Sequence, residues 1–411
     1  MKIKRTIPPA AAPLEWRDLW YGLAGIFGGG KSIRRVEDEI KEYFGVRHVF
    51  LVSSGKAALA LILLGLKDLS SKREVVIPAY TCYSVPSSVL RAGLKPSLCD
   101  IDRERFDFDA EGLKRAVTDD TLCVVPCHLF GIPADVDRVK DLCRPSGAYV
   151  VEDAAQAMGG TSRGRKLGTI GDAGFFSLGR GKNLTSGSGG IIVTNSDRIA
   201  DAIDRHYAKL RVPGIGEALG TLFQLKMMTL FIHPALYWFP AGLPFLKLGE
   251  TFFYRDFPIR KLSGLKAALL RRWPRRLEQS NRIRSETAAW MNSHLAVKPR
   301  REDGVAYLRL PVLCESRSVR DRWLALSRSR GLGLSPMYPK AIDELDELKG
   351  RFEGRSFPIA GELADRLLTV PTHPLVSRRD RENIREFFEE MHSDGAPSSG
   401  ELRAAAGRSA V

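Results

Sequence analysis

Residues 149–182 read YVVEDAAQAMGGTSRGRKLGTIGDAGFFSLGRGK. Two short apolar runs, at 148–151 and 173–178, frame this stretch, and each ends in groups capable of chemistry. Glu152, Asp153 and Gln156 follow the first run; Ser177 and Lys182 close the second, among Gly179 and Gly181. Strands that are apolar throughout belong in a sheet covered on both faces by helices. In such sheets, ligands sit beyond the carboxyl ends of the strands. The stretch therefore predicts a ligand edge carrying one carboxylate and one amine.

The pattern extends outward over 46–195. Further apolar or β-branched runs lie at 48–52, 74–77, 97–101, 121–126 and 190–194, with helical spacing at 56–66 and 135–143. Alternation of this kind predicts an α/β fold: a mostly parallel seven-stranded sheet with helices on both faces. A smaller C-terminal α+β domain is expected over 300–392, from an apolar run at 306–313 and a helix near 378–392.

Reactive residues again follow the runs: Ser53-Ser54-Gly55-Lys56, Pro78-Ala79-Tyr80-Thr81 and Cys127-His128. Asp153, buried at a strand end, needs a positive charge opposite it. Gly55, at the head of a helix, offers free N–H groups to a phosphate, and Ser177 adds a hydroxyl. A carboxylate, an amine and a phosphate cradle at one edge suit pyridoxal 5'-phosphate. That cofactor needs a lysine to condense with its aldehyde and an acid to keep its ring nitrogen protonated.

The blocks Ser54-Gly55-Lys56-Ala57-Ala58-Leu59, Ile77-Pro78-Ala79-Tyr80-Thr81, Glu152-Asp153-Ala154-Ala155-Gln156-Ala157 and Phe176 to Gly190 carry a resemblance. They resemble the DegT/DnrJ/EryC1/StrS family of fold-type I pyridoxal-phosphate sugar aminotransferases. The resemblance is close over 46–195 and weaker over 1–45 and 254–392, where Leu265-Lys266-Ala267-Ala268 and Val370-Pro371-Thr372-His373-Pro374 still echo it. It implies a homodimer that moves an amino group, from glutamate, to a nucleotide-linked keto-sugar in polysaccharide or glycoconjugate biosynthesis.

Residue by residue, it implies that Lys182 is the catalytic lysine, bound to the cofactor and shuttling protons. Asp153 pairs with the ring nitrogen and Gln156 lies near the ring's phenolic oxygen. Ser177, Gly55 and Lys56 hold the phosphate, and His128 faces the substrate pocket. The family's usual Thr, stacking aromatic and cross-subunit Asn are here Lys56, Cys82 and Ile259. Stacking is then expected from Tyr80 or Tyr83, and the cross-subunit contact from Arg260 or Lys261. Dehydratase relatives carry His in place of the lysine, so Lys182 argues against that branch. The competing functions are another fold-type I enzyme acting on amino acids, and a pyridoxal-phosphate-binding regulator or scaffold with little turnover.

Across the 411 residues, 44% are hydrophobic and 27% charged, which excludes collagen, coiled coil and wholesale disorder. The formal net charge of +15 favours an anionic partner such as a nucleotide, nucleic acid or lipid headgroup; with the family resemblance, a nucleotide-sugar substrate is expected and no nucleic acid. The opening MKIKRTIPP lacks the apolar core of a signal peptide, so a cytoplasmic chain is expected. Six cysteines lie in apolar runs and are expected reduced, and Cys123-x-x-x-Cys127 lacks zinc spacing, so no metal is expected.

Gly25-Ile26-Phe27-Gly28-Gly29-Gly30-Lys31-Ser32 matches a phosphate-loop pattern. That motif needs a buried strand before it, and residues 14–21 have helical spacing instead.

Residues 215–253 form an apolar insertion between the large domain (46–214) and the small one (254–393). No formal charge occurs from Met227 to Leu246, but Pro234, Pro240 and Pro244 exclude a clean spanning helix. Ten Lys/Arg against two acidic residues follow at 255–285. A buried helical insertion with a solvated basic helix is one reading; peripheral contact with an anionic membrane through 218–285 is the other. The N-terminal segment is 1–45, and 394–411 reads as a disordered tail.

Overall fold

The computed structural model describes residues 4–246, 248–249, 251–296 and 304–393. The strands are β1 (His48–Val52), β2 (Glu74–Pro78), β3 (Lys95–Cys99), β4 (Thr121–Val124), β5 (Tyr149–Asp153), β6 (Thr161–Ser162), β7 (Arg165–Lys166), β8 (Ala173–Ser177), β9 (Gly190–Thr194), β10 (Arg309–Leu313) and β11 (Leu367–Pro371). Seven of them build one sheet in the order β1-β9-β8-β5-β4-β2-β3. Strand β9 runs antiparallel to β1 and β8, and every other pairing is parallel. All seven runs expected from the sequence are strands of this sheet. The third begins two residues earlier than the run 97–101 suggested, because Pro96 is tolerated at the sheet's edge.

Between β1 and β2 lies helix Gly55–Leu69, capped by the Ser54 hydroxyl, which accepts from the Ala57 N–H at 3.2 Å. Residues 57 to 63 of this helix are all buried. It is apolar all round and therefore sits inside the molecule. The remaining strands pair apart from the main sheet: β6 with β7, and β10 with β11, both antiparallel. Helices Arg317–Arg330, Pro358–Arg366 and Arg378–Ser393 surround β10 and β11. This part is tied to the main sheet where Ile342 N–H donates to Ala79 at 2.8 Å and Leu308 N–H to Phe130 at 2.8 Å.

The glycine-rich phosphate-loop lookalike is a helix junction. Helix Trp16–Gly25 precedes it and helix Gly29–Phe44 begins within it. A Cβ on Gly25 would come 2.3 Å from the Ala268 Cβ, and one on Gly29 would come 2.8 Å from the Gly264 Cα. These glycines let helices touch helix Gly264–Leu269; they do not cradle an anion.

The insertion folds as helix Ile215–Phe231 and a short helix Trp238–Ala241. The basic stretch after it is solvated on one side, where Arg275 and Arg282 are exposed, and buried on the other. Helix Trp273–His294 turns Leu277, Ser280, Arg284, Thr287, Ala288 and Met291 inward, and Arg284 is fully buried on that stripe. No helix among the described residues is long and apolar enough to cross a membrane. The expected tail, 394–411, lies outside the described residues.

Candidate active site

Strands β5 and β8 pair in parallel, so Asp153 and Ser177 emerge at the same carboxyl edge. After Ser177 the chain makes a tight turn in which Lys182 N–H donates to Gly179 at 3.2 Å and Gly179 N–H donates to the Ser177 hydroxyl at 3.3 Å. The head of helix Gly55–Leu69 presses onto this edge. A Cβ on Gly55 would meet Ser177 Cβ at 2.9 Å and Oγ at 3.2 Å. Gly190, paired with Ser177, would meet the Ser54 carbonyl at 2.3 Å. Only glycines permit so close an approach, and it sets the Ser177 hydroxyl beside the first turn of a helix. The N–H groups of Gly55 and Lys56 there have no intrahelical partner. Together they form an anion cradle.

Asp153 is buried. One oxygen accepts from the Ala155 N–H at 3.0 Å. Burial pushes this carboxyl above its ordinary range; the Ala155 N–H, the Lys182 charge and His128 pull the other way without cancelling it. Asp153 also helps burial push the neighbouring Cys127 thiol far up, while Lys182 opposes that rise. The carboxylate, the thiol and the amine thus share one electrostatic environment. A cationic ring nitrogen at Asp153 would relieve the remaining desolvation penalty. With the cradle at Gly55 and Ser177, the residues present fit pyridoxal phosphate.

The other expected site residues divide. Gln156 is buried, with its carbonyl oxygen accepting from Phe130 N–H at 3.1 Å and its amide donating to the Tyr338 hydroxyl at 3.0 Å. His128 is buried, and both ring nitrogens are engaged: Nε2 lies 2.9 Å from Glu152, and Nδ1 accepts from Ala134 N–H at 3.0 Å. An Nδ1 that accepts leaves Nε2 as the donor, so the ring has no nitrogen left for a substrate. Its expected place at the substrate pocket is replaced by a structural one, because the carboxylate beside it in the fold claims it.

Tyr80 and Tyr83, the expected stacking residues, both have an aromatic partner in Tyr338. Tyr80 is buried edge-on to Tyr338, ring centroids 5.4 Å apart, and its hydroxyl accepts from Tyr338 N–H at 3.3 Å. Tyr83 is held by Lys340, whose N–H donates to its hydroxyl at 2.8 Å. Cys82, between them, is partly exposed. The Lys56 ammonium lies over the rings of Tyr254 and Phe257, 4.8 and 4.7 Å from their centroids, and burial lowers its pKa. Lys56 therefore joins the insertion's end to the phosphate cradle.

Sequence reasoning passed over three residues. Glu152 is fully buried and accepts from His128, from Gly168 N–H at 2.8 Å and from Gly171 N–H at 2.6 Å. Burial pushes its carboxyl up, but His128 and these backbone donors outweigh that and leave its pKa below the ordinary value. Tyr338 reaches the site from the loop after Ser335, which bridges to Thr369 of β11; burial raises its pKa, with Cys82, Cys127 and Asp153 adding to the rise. An aromatic between Pro336 and Pro339 was its only sequence signal. Arg284 donates to the carbonyls of Leu308 (2.9 Å), Ala11 (2.8 Å) and Lys182 (3.2 Å), and burial lowers its pKa to about 9. It clamps the lysine's backbone.

A pyridoxal-phosphate type of site at the carboxyl edge of a mostly parallel sheet places the molecule in the class of fold-type I enzymes. The model of the DegT/DnrJ/EryC1/StrS aminotransferase family matches residues 23–389, and the chain belongs to that family. It is similar to GDP-perosamine synthase of Vibrio cholerae, 36% identical over 172 residues, covering 42% of this chain and 47% of that one. It is also similar to L-glutamine:2-deoxy-scyllo-inosose aminotransferase of Streptoalloteichus tenebrarius, 31% identical over 281 residues, covering 67% of this chain and 59% of that one. The chain spans about half the length of the curated relatives it matches. Among solved structures, Helicobacter pylori PseC, an aminotransferase involved in the biosynthesis of pseudoaminic acid, shares the fold. The TM-score is 0.77 at 17% identity, covering 95% of this chain and 100% of that one.

Proposed function

We propose that the chain is a pyridoxal-phosphate-dependent aminotransferase that moves an amino group from glutamate to a nucleotide-linked keto-sugar, in polysaccharide or glycoconjugate biosynthesis. The observation that carries this reading is the buried Asp153 at the end of β5, on the same sheet edge as Ser177 and the turn to Lys182, beside the close approach of Gly55 to Ser177. When bound, the cofactor supplies an electron sink for the carbon that gains or loses the amino group. The Ser177 hydroxyl and the Gly55 and Lys56 N–H groups bind its phosphate. Asp153 holds the proton on the ring nitrogen. Lys182 Nζ takes and returns the proton at the carbon that bears the nitrogen, a role suited to an amine on a flexible stem. Arg284 and the Glu152–His128 pair hold the two turns in place.

The same reading takes the chain as a cytoplasmic homodimer, with peripheral membrane contact through the insertion. Incubation with glutamate, followed by a panel of nucleotide keto-sugars, tests it. Expected are 2-oxoglutarate release and an aminated sugar. Cofactor binding without any reaction with glutamate would instead favour the regulator, and turnover confined to amino acids would favour the other enzyme class.

A further inference from the structure

Among the described residues, the exposed large apolar side chains all fall in two stretches, 16–27 and 212–254. Trp20 is 71% exposed, Phe27 84%, Phe223 67% and Phe245 74%. The two stretches adjoin in space, because Leu222 and Leu225 of helix Ile215–Phe231 share a cluster with Leu14, Leu19, Leu265 and Leu269. That packing uses only one side of the helix. Ile215, Leu219 and Phe223, one turn apart, form a second apolar stripe that faces water. A helix with apolar residues on two faces ordinarily has both covered, and this one lies at the surface.

The charges around it indicate what covers it. Between 209 and 275 there are eleven Lys/Arg and three acidic residues. Glu217, the only acidic residue on the helix, is held by Arg211 at 3.1 Å and Arg260 at 2.7 Å. Lys226 lies on the helix itself and is exposed, as are Arg255, Arg271 and Arg275 in the basic stretch that follows. A second copy of this surface would set cations against cations. An anionic bilayer offers both an apolar interior and opposite charge, and aromatics with a basic rim are the signature of a helix lying in the interface.

We propose that helix Ile215–Phe231 and the segment running to Leu246, with helix Trp16–Gly25 alongside, dock the protein on the surface of an anionic lipid bilayer. The docked face adjoins the active-site turn. A groove of about 490 Å³ runs between Met227, Phe231 and Tyr237 of the insertion and Arg180-Gly181, just before Lys182. Docking holds that groove close to the lipid surface. The proposal defines the face behind the membrane contact named above and needs none of the amino-transfer chemistry.

Co-sedimentation of the full chain, loaded with cofactor, tests it. The protein should pellet with vesicles containing phosphatidylglycerol, remain in solution with phosphatidylcholine alone, and be released from the former by salt. Phe223→Ser with Phe245→Ser should weaken binding about tenfold or more while leaving the reaction with glutamate unchanged. A wild-type protein that stays in solution with anionic vesicles overturns the proposal. So does a double variant whose mass by light scattering falls to that of a smaller assembly, since the face would then belong to a second copy. Loss of the glutamate reaction in the wild type would count against the functional reading alone.

Discussion

The carboxyl edge of the main sheet and the insertion at 215–248 are both rich in apolar residues, yet they use them in opposite ways. At the edge, runs such as Val150-Val151 and Phe175-Phe176 are buried, and the polar groups that follow them are engaged: Glu152 by His128 and backbone donors, Gln156 by Phe130 and Tyr338. In the insertion, Phe223 and Phe245 face water while Leu222 and Leu225 beside them are buried. Apolar sequence alone does not separate a core from a contact surface. Periodicity against the neighbouring elements does: residues 218, 222 and 225 are buried on one side, and 215, 219 and 223 stay exposed on another.

Replacement of the central amine should have the largest effect. Lys182→Ala is expected to lower amino transfer by about a thousandfold or more, read as product formed per enzyme, while the melting temperature changes little. Next in size is Arg284→Met. This fully buried guanidinium serves three carbonyls, and losing it should cost about 3 kcal/mol or more in denaturant unfolding. Because Arg284 grips the Lys182 carbonyl, activity measured on the remaining folded protein should also fall.

The contrast between the two regions is sharpest at neighbouring positions. Leu222→Ala, in the packed cluster, should destabilise by about 2–4 kcal/mol, whereas Phe223→Ser should stay within about 0.5 kcal/mol. Equal losses at 222 and 223 would mean that the exposed stripe is part of the core after all.

A smaller effect is expected from pH. His373 is fully buried, with Nε2 2.8 Å from the Pro8 carbonyl, and burial drives its pKa from the ordinary 6.5 down to about 3. The unfolded chain therefore binds a proton that the native one refuses between those values. Stability is full above the unfolded pKa and declines as pH falls toward about 3, at about 1.4 kcal/mol per pH unit. His373→Gln should flatten that slope in melts recorded from neutral to acidic pH.

The seven strands of the sheet, and the edge at which Asp153 and the turn to Lys182 fall, were legible because each strand is a short uninterrupted apolar run that ends in reactive residues. The failures have physical reasons. His128 and Glu152 are 24 positions apart, and nothing local shows that the parallel pairing of β4 and β5 sets them side by side. Arg284 lay hidden in a basic run because helix phase, not charge density, decides which residues turn inward. Tyr80 reads as an open strand-end aromatic until Tyr338, on the loop after Ser335, packs against it.

Borohydride reduction of the cofactor-loaded protein, followed by peptide mass mapping, addresses the central claim most directly. A single pyridoxyl group on Lys182 is the predicted outcome. A group fixed instead on Lys56, whose amine is depressed by burial, or on no lysine at all, would contradict the account.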